Sequence, residues 1–227
     1  MTSAIIVAAG RGTRMGPNMD KLFLEVAGQP VIAHTWARFD SADCIDEIVL
    51  VVRAGMENTF QEIGARLGVK KAHRFAEGGA ERQDSVWNGL QALDSGSDVV
   101  AIHDGARPCV SHELIEACLR AAKDFGAAVA AQRVTDTIKE STDGLTIAGT
   151  LNRSKLWSVQ TPQAFRVSII RQAIGAARAH GSNLTDDTAA CELIGQSVKL
   201  VEGKELNPKV TVPGDLALIE AVLKRMA

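Results

Sequence analysis

The sequence has no excess of positive charge. Its 25 lysines and arginines are balanced by 27 aspartates and glutamates, which gives a formal net charge of -2 at pH 7. General nucleic-acid-binding proteins are usually basic, so this balance argues against a nucleic-acid partner. It leaves room for a small anionic ligand, because a locally positive cleft can bind one whatever the net charge.

Cysteines are few, and long hydrophobic runs are missing. The four cysteines form no Cys-x-x-Cys pair and show no zinc-like spacing, which indicates buried free thiols in a reducing compartment. No apolar stretch approaches the length of a transmembrane helix, and the N-terminus lacks the charged and apolar regions of a secretory signal. We therefore expect a cytoplasmic protein without a membrane partner.

Strand-like and helix-like patterns alternate along the 227 residues. The strands read as near-continuous apolar runs, which is typical of a parallel sheet covered by helices on both faces. This predicts an α/β fold, a three-layer Rossmann-like sandwich with a mostly parallel mixed sheet in a single domain. Predicted strands cover residues 5–9, 47–52, 72–75, 98–102, 127–131, 198–201 and about 209–212, and predicted helices cover 31–39, 56–67, 81–93, 111–125, a segment from 184 and the chain after Pro213.

The loop after the first strand is rich in glycine and cations. It carries Gly10, Gly12, Arg14 and Lys21. Small residues let backbone N–H groups approach a ligand and the cations supply positive charge, which predicts a polyphosphate site. The spacing fits neither the dinucleotide fingerprint, since Gly16 comes one position late, nor a P-loop. The alternative is a strand-to-loop turn with solvated arginines.

Two further turns are expected at the same edge of the sheet, because ligands bind beyond the carboxyl ends of such strands. Asp104 follows a buried strand, where a carboxylate suits Mg²⁺; the alternative is a turn-forming aspartate. Gly79 and Ser85 open a helix, where a glycine turn would let a flat base lie against the backbone and Ser85 would hydrogen-bond it. The alternative is an ordinary helix N-terminus.

Residues 134–157 interrupt the alternation. The Asp143-Gly144 pair between two partly alternating runs predicts a β-hairpin, which needs a surface to pack on. That surface is either a partner subunit, which would make the hairpin a dimerisation arm, or the hairpin's own domain. Dispersed polar residues are either solvated or form a second anion site. These are Thr137, Arg153, Thr161, Thr185 and Lys209.

Taken in order, these segments resemble the 2-C-methyl-D-erythritol 4-phosphate cytidylyltransferases of the non-mevalonate isoprenoid pathway. The resemblance spans nearly the whole chain, with small departures at Lys21-Leu22-Phe23 and at Gly105. The matching motifs are Ala8-Ala9-Gly10-x-Gly12-x-Arg14-Met15 with Lys21, Gly78-Gly79-x-x-Arg82-x-x-Ser85-Val86, His103-Asp104-x-Ala106-Arg107-Pro108, Asp136-Thr137-Ile138-Lys139, Arg153-x-x-Leu156-Trp157, Thr161-Pro162-Gln163, Thr185-Asp186-Asp187, Val201-Glu202-Gly203 and Asn207-x-Lys209-Val210-Thr211.

The resemblance implies a fold of the nucleotidyltransferase type and transfer of CMP from CTP to methylerythritol phosphate, with Mg²⁺ as cofactor and Asp104 as its ligand. It also implies a homodimer in which the arm at residues 134–157 lends an arginine and a threonine to the neighbouring site. A ribitol 5-phosphate cytidylyltransferase is the alternative. The implied catalytic residues are Arg14, Lys21, Arg153 and Lys209; the nucleotide-binding residues are Ala8, Ala9, Gly10, Gly12, Gly79, Arg82, Ser85, Asp104 and Ala106; the substrate-binding residues are Thr137, Arg153, Thr161, Thr185 and Lys209.

Overall fold

The structure is a computed structural model and describes residues 1–10 and 20–226. One 3-10 turn covers Arg153–Lys155. The strands are β1 (Thr2–Val7), β2 (Glu25–Val26), β3 (Gln29–Pro30), β4 (Glu47–Val52), β5 (Ala72–Glu77), β6 (Val99–Asp104), β7 (Ala127–Arg133), β8 (Lys139–Glu140), β9 (Gly149–Thr150), β10 (Trp157–Arg166) and β11 (Lys199–Glu202). The helices are α1 (Val31–Asp40), α2 (Glu57–Leu67), α3 (Arg82–Gln91), α4 (His112–Phe125), α5 (Val167–Ala179), α6 (Asp187–Leu193) and α7 (Asp215–Met226).

Seven strands form one mixed sheet in the order β11-β7-β10-β6-β1-β4-β5. β10 runs antiparallel to β6 and β7, whereas the other neighbouring strands are parallel. Apolar side chains of α1, α2, α4 and α7 pack on one face, and those of α3, α5 and α6 pack on the other. The predicted three-layer α/β fold is therefore confirmed. Within the described ranges, no helix combines the length and the hydrophobicity that a membrane crossing requires.

The centre of the sheet is built from the most apolar strands. All six residues of β4 are buried, and β-branched side chains such as those of β4 and β6 suit a strand covered on both faces. β1 lies between β4 and β6, in a register that places Val7 opposite Asp104. As a result, the chain leaves β1 and β6 side by side at the same edge of the sheet.

Most predicted elements are confirmed, but the strand predicted around residues 209–212 is wrong. The chain there makes one backbone hydrogen bond to the segment after β6, from Val210 N to Ala106 O at 2.8 Å. The next two backbone N–H groups instead donate to the carboxylate of Asp215. This segment is therefore a loop fixed by individual hydrogen bonds. β10 and α5 occupy a part of the chain for which the alternation gives no prediction.

The hairpin predicted within residues 134–157 is present. β8 and β9 pair antiparallel, and Gly144 between them has a φ of 74°, which favours glycine. The hairpin is inserted between β7 and β10. Two of its apolar side chains, Leu145 and Ile147, are 92% and 68% exposed.

Gly89 allows α3 to pack closely on the sheet. A Cβ at this position would lie 2.8 Å from Cγ2 of Ile5 and 2.9 Å from Cγ2 of Val51, which is closer than carbon atoms normally approach. α3 begins at Arg82 and carries Ser85 in its first turn. The close packing at Gly89 therefore helps to set the position of these two residues relative to the strand ends.

We predict that Gly89→Ala destabilises the protein by about 1–3 kcal/mol, because overpacking outweighs the better helix propensity of alanine. The matched control is Gly175→Ala in α5, where the added Cβ would have no described atom within 4 Å apart from its chain neighbours and its own helix backbone. That variant should be more stable than the native protein by about 0.5–1 kcal/mol. Urea unfolding measures both effects, and equal changes at the two positions would contradict the close packing of α3.

Candidate active site

A cleft of about 680 Å³ lies beyond the carboxyl ends of β1, β5 and β6. Backbone hydrogen bonds join the turns that follow the strands: Gly105 N donates to Val7 O at 2.9 Å, and Gly78 N donates to Val52 O at 2.8 Å. The turns therefore meet at one edge of the sheet. The cleft is lined by Val7, Ala9, Gly10, Lys21, Leu22, Gly79, Ala80, Glu81, Arg82, Ser85, Asp104, Gly105, Ala106 and Lys209.

The turn before α3 requires glycine because of close contacts. A Cβ on Gly78 would lie 2.2 Å from Cβ of Ala9, and one on Gly79 would lie 2.2 Å from Cβ of Asp84. The Ser85 hydroxyl holds this turn, since it accepts a hydrogen bond from Gly79 N at 3.0 Å. The turn thus brings backbone against the wall of the cleft, where a flat ligand could approach it.

The carboxylate of Asp104 lies between two cations. Lys209 Nζ donates to its Oδ2 at 2.5 Å, and Arg82 Nε lies 3.5 Å from its Oδ1. Burial opposes the charge of this carboxylate, but Arg82 and Lys209 more than offset that effect and hold the pKa of Asp104 well below its usual range. Asp104 is therefore ionised at every physiological pH.

Lys209 and Lys21 are brought to the cleft by one loop. The buried Asn207 anchors the loop, because its Nδ2 donates to the main chain of β10 at 2.8 Å. The hydrogen bond from Val210 N to Ala106 O at 2.8 Å anchors it to the segment after β6. Lys21 Nζ in turn donates to Val210 O at 3.1 Å. Two lysines that are far apart in the sequence therefore reach the same cleft.

Thr161 and His103 form a hydrogen-bonded chain that fixes the backbone of Asp104. The Thr161 hydroxyl oxygen accepts a hydrogen bond from Asp104 N at 3.0 Å and lies 3.1 Å from His103 Nδ1. His103 Nε2 lies 3.0 Å from Arg107 O, which can only accept, so Nε2 carries the ring proton and Nδ1 accepts from Thr161. Burial lowers the pKa of His103 to about 4. The imidazole is therefore neutral near pH 7.

Asp187 is a site residue to which the sequence analysis assigns no role. It begins α6 and is buried, yet its Oδ1 accepts a hydrogen bond from Arg82 Nη1 at 2.8 Å. Arg82 therefore bridges Asp104 and Asp187, which more than offsets the effect of burial and raises the pKa of Arg82 above its usual value. The available signal was the second aspartate of the Thr185-Asp186-Asp187 motif, but its contact with α3 arises only in the fold.

Some of the predicted site residues do not line this cleft. Thr137 and Arg153 are exposed and lie in and beside the hairpin, where Arg153 Nη1 donates to Thr135 O at 2.5 Å. Thr185 is also exposed, one residue before the N-cap of α6. The side chain of Ala8 is buried behind the cleft wall.

Two predicted residues of the glycine-rich loop, Gly12 and Arg14, lie outside the described residues. The remaining predicted nucleotide-binding residues reach the cleft, together with both lysines. These are Ala9, Gly10, Lys21, Gly79, Arg82, Ser85, Asp104, Ala106 and Lys209.

The donor set at Asp104 fits a hard cation that takes most of its ligands from elsewhere. In the described part of the chain, no three His, Cys, Asp or Glu side chains are grouped as metal ligands. Asp104 offers an ionised carboxylate at the end of β6, and Glu81 also lines the cleft. Mg²⁺ is often bound through one or two carboxylates, with substrate phosphates and water as its other ligands. This donor set is therefore compatible with Mg²⁺ and unsuited to a structural zinc site.

A glycine-rich edge of a mostly parallel sheet, with lysines, an arginine and carboxylates in a common cleft, is typical of α/β enzymes of the nucleotidyltransferase type. The family model for 2-C-methyl-D-erythritol 4-phosphate cytidylyltransferase (IspD) matches residues 2–225. The chain belongs to this family.

Individual relatives agree with the family match. The chain is 47% identical over 225 residues to the 2-C-methyl-D-erythritol 4-phosphate cytidylyltransferase of Geobacillus kaustophilus, with 99% of this chain and 98% of the relative covered. It is 44% identical over 224 residues to the enzyme of the same name from Alkaliphilus oremlandii, with 98% and 95% covered.

Solved structures agree as well. The crystal structure of 4-diphosphocytidyl-2C-methyl-D-erythritol synthase from Anaerococcus prevotii superposes with a TM-score of 0.87 at 32% identity, covering 99% of this chain and 96% of that one. The 2-C-methyl-D-erythritol 4-phosphate cytidylyltransferase of Thermus thermophilus gives a TM-score of 0.79 at 34% identity, covering 97% and 98%.

We predict that His103 makes the protein less stable as the pH falls. Its pKa is about 4 in the folded protein and about 6.5 in an unfolded chain, so between these values the unfolded state binds a proton that the folded state does not. The contribution of His103 to the free energy of unfolding should be intact above about pH 6.5 and should decline by about 3 kcal/mol toward pH 4. Urea titrations of the native protein and of His103→Gln across this range measure it. The variant should show the shallower decline, and parallel curves would refute the assignment.

Proposed function

We propose that the cleft beyond β1, β5 and β6 is the place where this enzyme transfers CMP from CTP to 2-C-methyl-D-erythritol 4-phosphate. The products are 4-diphosphocytidyl-2-C-methyl-D-erythritol and pyrophosphate. The observation that carries the proposal is the convergence of Lys21, Arg82, Lys209 and Asp104 in one cleft, where Arg82 and Lys209 contact Asp104. Both substrates are anions, so a site that joins them must first offset their mutual repulsion.

The reaction needs positioning and electrostatic stabilisation more than it needs a base. A phosphate oxygen of the acceptor attacks the α-phosphorus of CTP in line, and pyrophosphate leaves. A phosphate monoester has a second pKa of about 6, so the nucleophile is already largely deprotonated near neutral pH. The energetic task is therefore to hold two anions together and to stabilise the negative charge that is shared among the phosphoryl oxygens.

The residues divide between the two substrates. For the nucleotide, Gly79, Ser85 and Ala106 would contact the base and ribose of CTP together with residues 8–10 and Gly12. Arg14 and Lys21 would stabilise charge at the α-phosphate, and Arg82 would contact the nucleotide from the cleft wall. For the acceptor, the cations that would hold the phosphate are Lys209 and Arg153, with Thr137, Thr161 and Thr185 nearby.

Asp104 would hold Mg²⁺, which would neutralise charge on the triphosphate. The ionised carboxylate and its position in the cleft support this assignment. Lys209 donates to the same carboxylate, which shows that this position stabilises a positive charge. The chain's own contribution is to keep Asp104 charged and to fix its backbone through Thr161.

The acceptor is methylerythritol phosphate rather than ribitol 5-phosphate. The two kinds of enzyme would share the nucleotide half of the site, so only contacts to the acceptor separate them. The family match over residues 2–225 and relatives at 44% and 47% identity support the methylerythritol substrate.

The enzyme would work as a homodimer in the cytoplasm. The hairpin presents Leu145 and Ile147 at 92% and 68% exposure, and exposed apolar side chains on a projecting pair of short strands favour a protein interface. Arg153 follows the hairpin and is not part of its own protomer's cleft lining. A partner's cleft is therefore the place where it would act. The free state of all four cysteines supports a reducing compartment.

We predict that Lys21→Ala and Arg153→Ala dimers are each nearly inactive and rescue one another when mixed. Loss of one charge-stabilising contact should lower kcat by roughly a hundredfold or more. If Arg153 acts across the interface, a hybrid dimer has one doubly defective site and one intact site. Pyrophosphate release should then recover to about a quarter of the native rate, because half of the randomly re-paired dimers are hybrid and each has one intact site.

The control is a mixture of Lys21→Ala and Lys209→Ala, whose altered residues line one cleft of one protomer. Every site in that mixture carries a defect, so no recovery is expected. Failure of the Arg153→Ala mixture to recover, although subunits exchange, would place Arg153 in its own protomer's site. Normal turnover by Lys21→Ala alone would remove Lys21 from the chemistry.

A further inference from the structure

Asp187 is a buried carboxylate that takes no part in the chemistry proposed above. Only 1% of the residue is exposed, and its Oδ1 accepts a hydrogen bond from Arg82 Nη1 at 2.8 Å. Arg82 itself lines the cleft and keeps 29% of its side chain exposed. Asp187 thus contacts the face of Arg82 that points away from solvent.

The position of Asp187 is fixed through its backbone. Asp187 N donates to Gln163 Oε1 at 3.0 Å, and Gln163 Nε2 donates to Asp186 Oδ2 at 3.0 Å. Gln163 lies in β10 and is 1% exposed. A buried amide of the central sheet therefore determines where the start of α6 places the Asp187 carboxylate.

This ion pair contributes little to stability. Burying a carboxylate and a guanidinium carries a desolvation cost that often cancels their attraction. Within the described chain, the second carboxylate oxygen of Asp187 is buried without a hydrogen-bond partner, which adds to the cost. Burial also raises the pKa of Asp187, although Arg82 opposes that shift. The pair has a clearer consequence for the orientation of Arg82.

Arg82 contacts two carboxylates, those of Asp104 and Asp187. Its contact with Asp104 is a single one from Nε at 3.5 Å, whereas its contact with Asp187 is at 2.8 Å. Arginine and a carboxylate favour a closer pair with two parallel hydrogen bonds. Without Asp187, the guanidinium would be free to form such a pair with Asp104 and would point fewer N–H groups at a ligand.

We propose that Asp187 is a positioning residue for nucleotide binding, which fixes Arg82 so that its remaining N–H groups face the triphosphate instead of pairing fully with Asp104. The proposal rests on the proposed contact between Arg82 and the nucleotide. It predicts that Asp187 affects CTP binding only through Arg82.

The experiment is a double-mutant cycle on CTP affinity, measured by isothermal titration calorimetry with Mg²⁺ and without acceptor. Asp187→Asn should weaken CTP binding about tenfold, as loss of a residue that orients a ligand-binding group typically does. Arg82→Gln should weaken it at least as much. The double variant should bind CTP no more weakly than Arg82→Gln alone, since the two residues act as one unit.

The matched control is Glu192→Gln, which removes one negative charge from the same helix, α6. Glu192 is exposed and does not line the cleft. Its CTP affinity should stay within about twofold of native. Urea unfolding of each variant separates a loss of orientation from a loss of folded protein.

The outcomes distinguish this proposal from the function on which it rests. If Arg82→Gln binds CTP as the native protein does, the nucleotide role of Arg82 is wrong. If Arg82→Gln binds weakly but Asp187→Asn binds normally, or if the two losses simply add, Asp187 is not a positioning residue. Should Asp187→Asn fail to fold, Arg82→Lys provides the test, because lysine lacks the planar fork that bridges the two carboxylates. Native CTP affinity in Arg82→Lys would then overturn the proposal.

Discussion

The structure depends most on one ionised carboxylate held between two cations. Asp104 stands 22 residues after Arg82 and 105 residues before Lys209 in the sequence, and both approach it at the end of β6. Removing a charge from water is unfavourable, so each of these groups is stable in the cleft because of the others. The same charges that stabilise one another here are the ones that an anionic substrate would meet. The charged residues at the end of β6 therefore both stabilise the local fold and form the site.

A layer of buried polar contacts keeps this cluster in place. Thr161 binds the backbone of Asp104, neutral His103 binds Thr161, and Asn207 ties the Lys209 loop to β10. These bonds tie the paired strands β6 and β10 to the loop around Lys209, which is not a strand and has no ladder to hold it. Satisfied polar groups of this kind specify a unique arrangement, and unsatisfied ones are costly. The cleft should accordingly keep its shape when it is empty.

Much of this architecture could be predicted from residue patterns. Apolar runs such as β4 mark strands covered on both faces, and glycines beside cations mark the edge where the chain approaches a ligand. β10 has weaker signals, because Pro162 argues against a central strand and the register shifts between Val159 and Gln163. α5 was predictable, since its buried residues from Val167 to Ala177 recur at helical spacing.

Residue patterns do not predict the ion pair between Arg82 and Asp187. An aspartate at the start of a helix is ordinary in a sequence, so nothing marks Asp187 as the partner of a residue 105 positions earlier. The segment around Lys209 alternates like a strand, but Asp215 captures the N–H groups that a strand would use. In both cases a long-range polar contact decides the local structure. Such contacts follow from the assembled fold and not from periodicity.

The most direct test of the account is a crystal structure of the protein with CTP and Mg²⁺. The account predicts the triphosphate in the cleft beyond β1, β5 and β6, with its oxygens beside Lys21 and Arg82 and the metal on Asp104. A nucleotide bound instead in the separate cavity of about 560 Å³ beside α4 and α7 would contradict it. So would a triphosphate in the cleft that contacts none of these charged side chains.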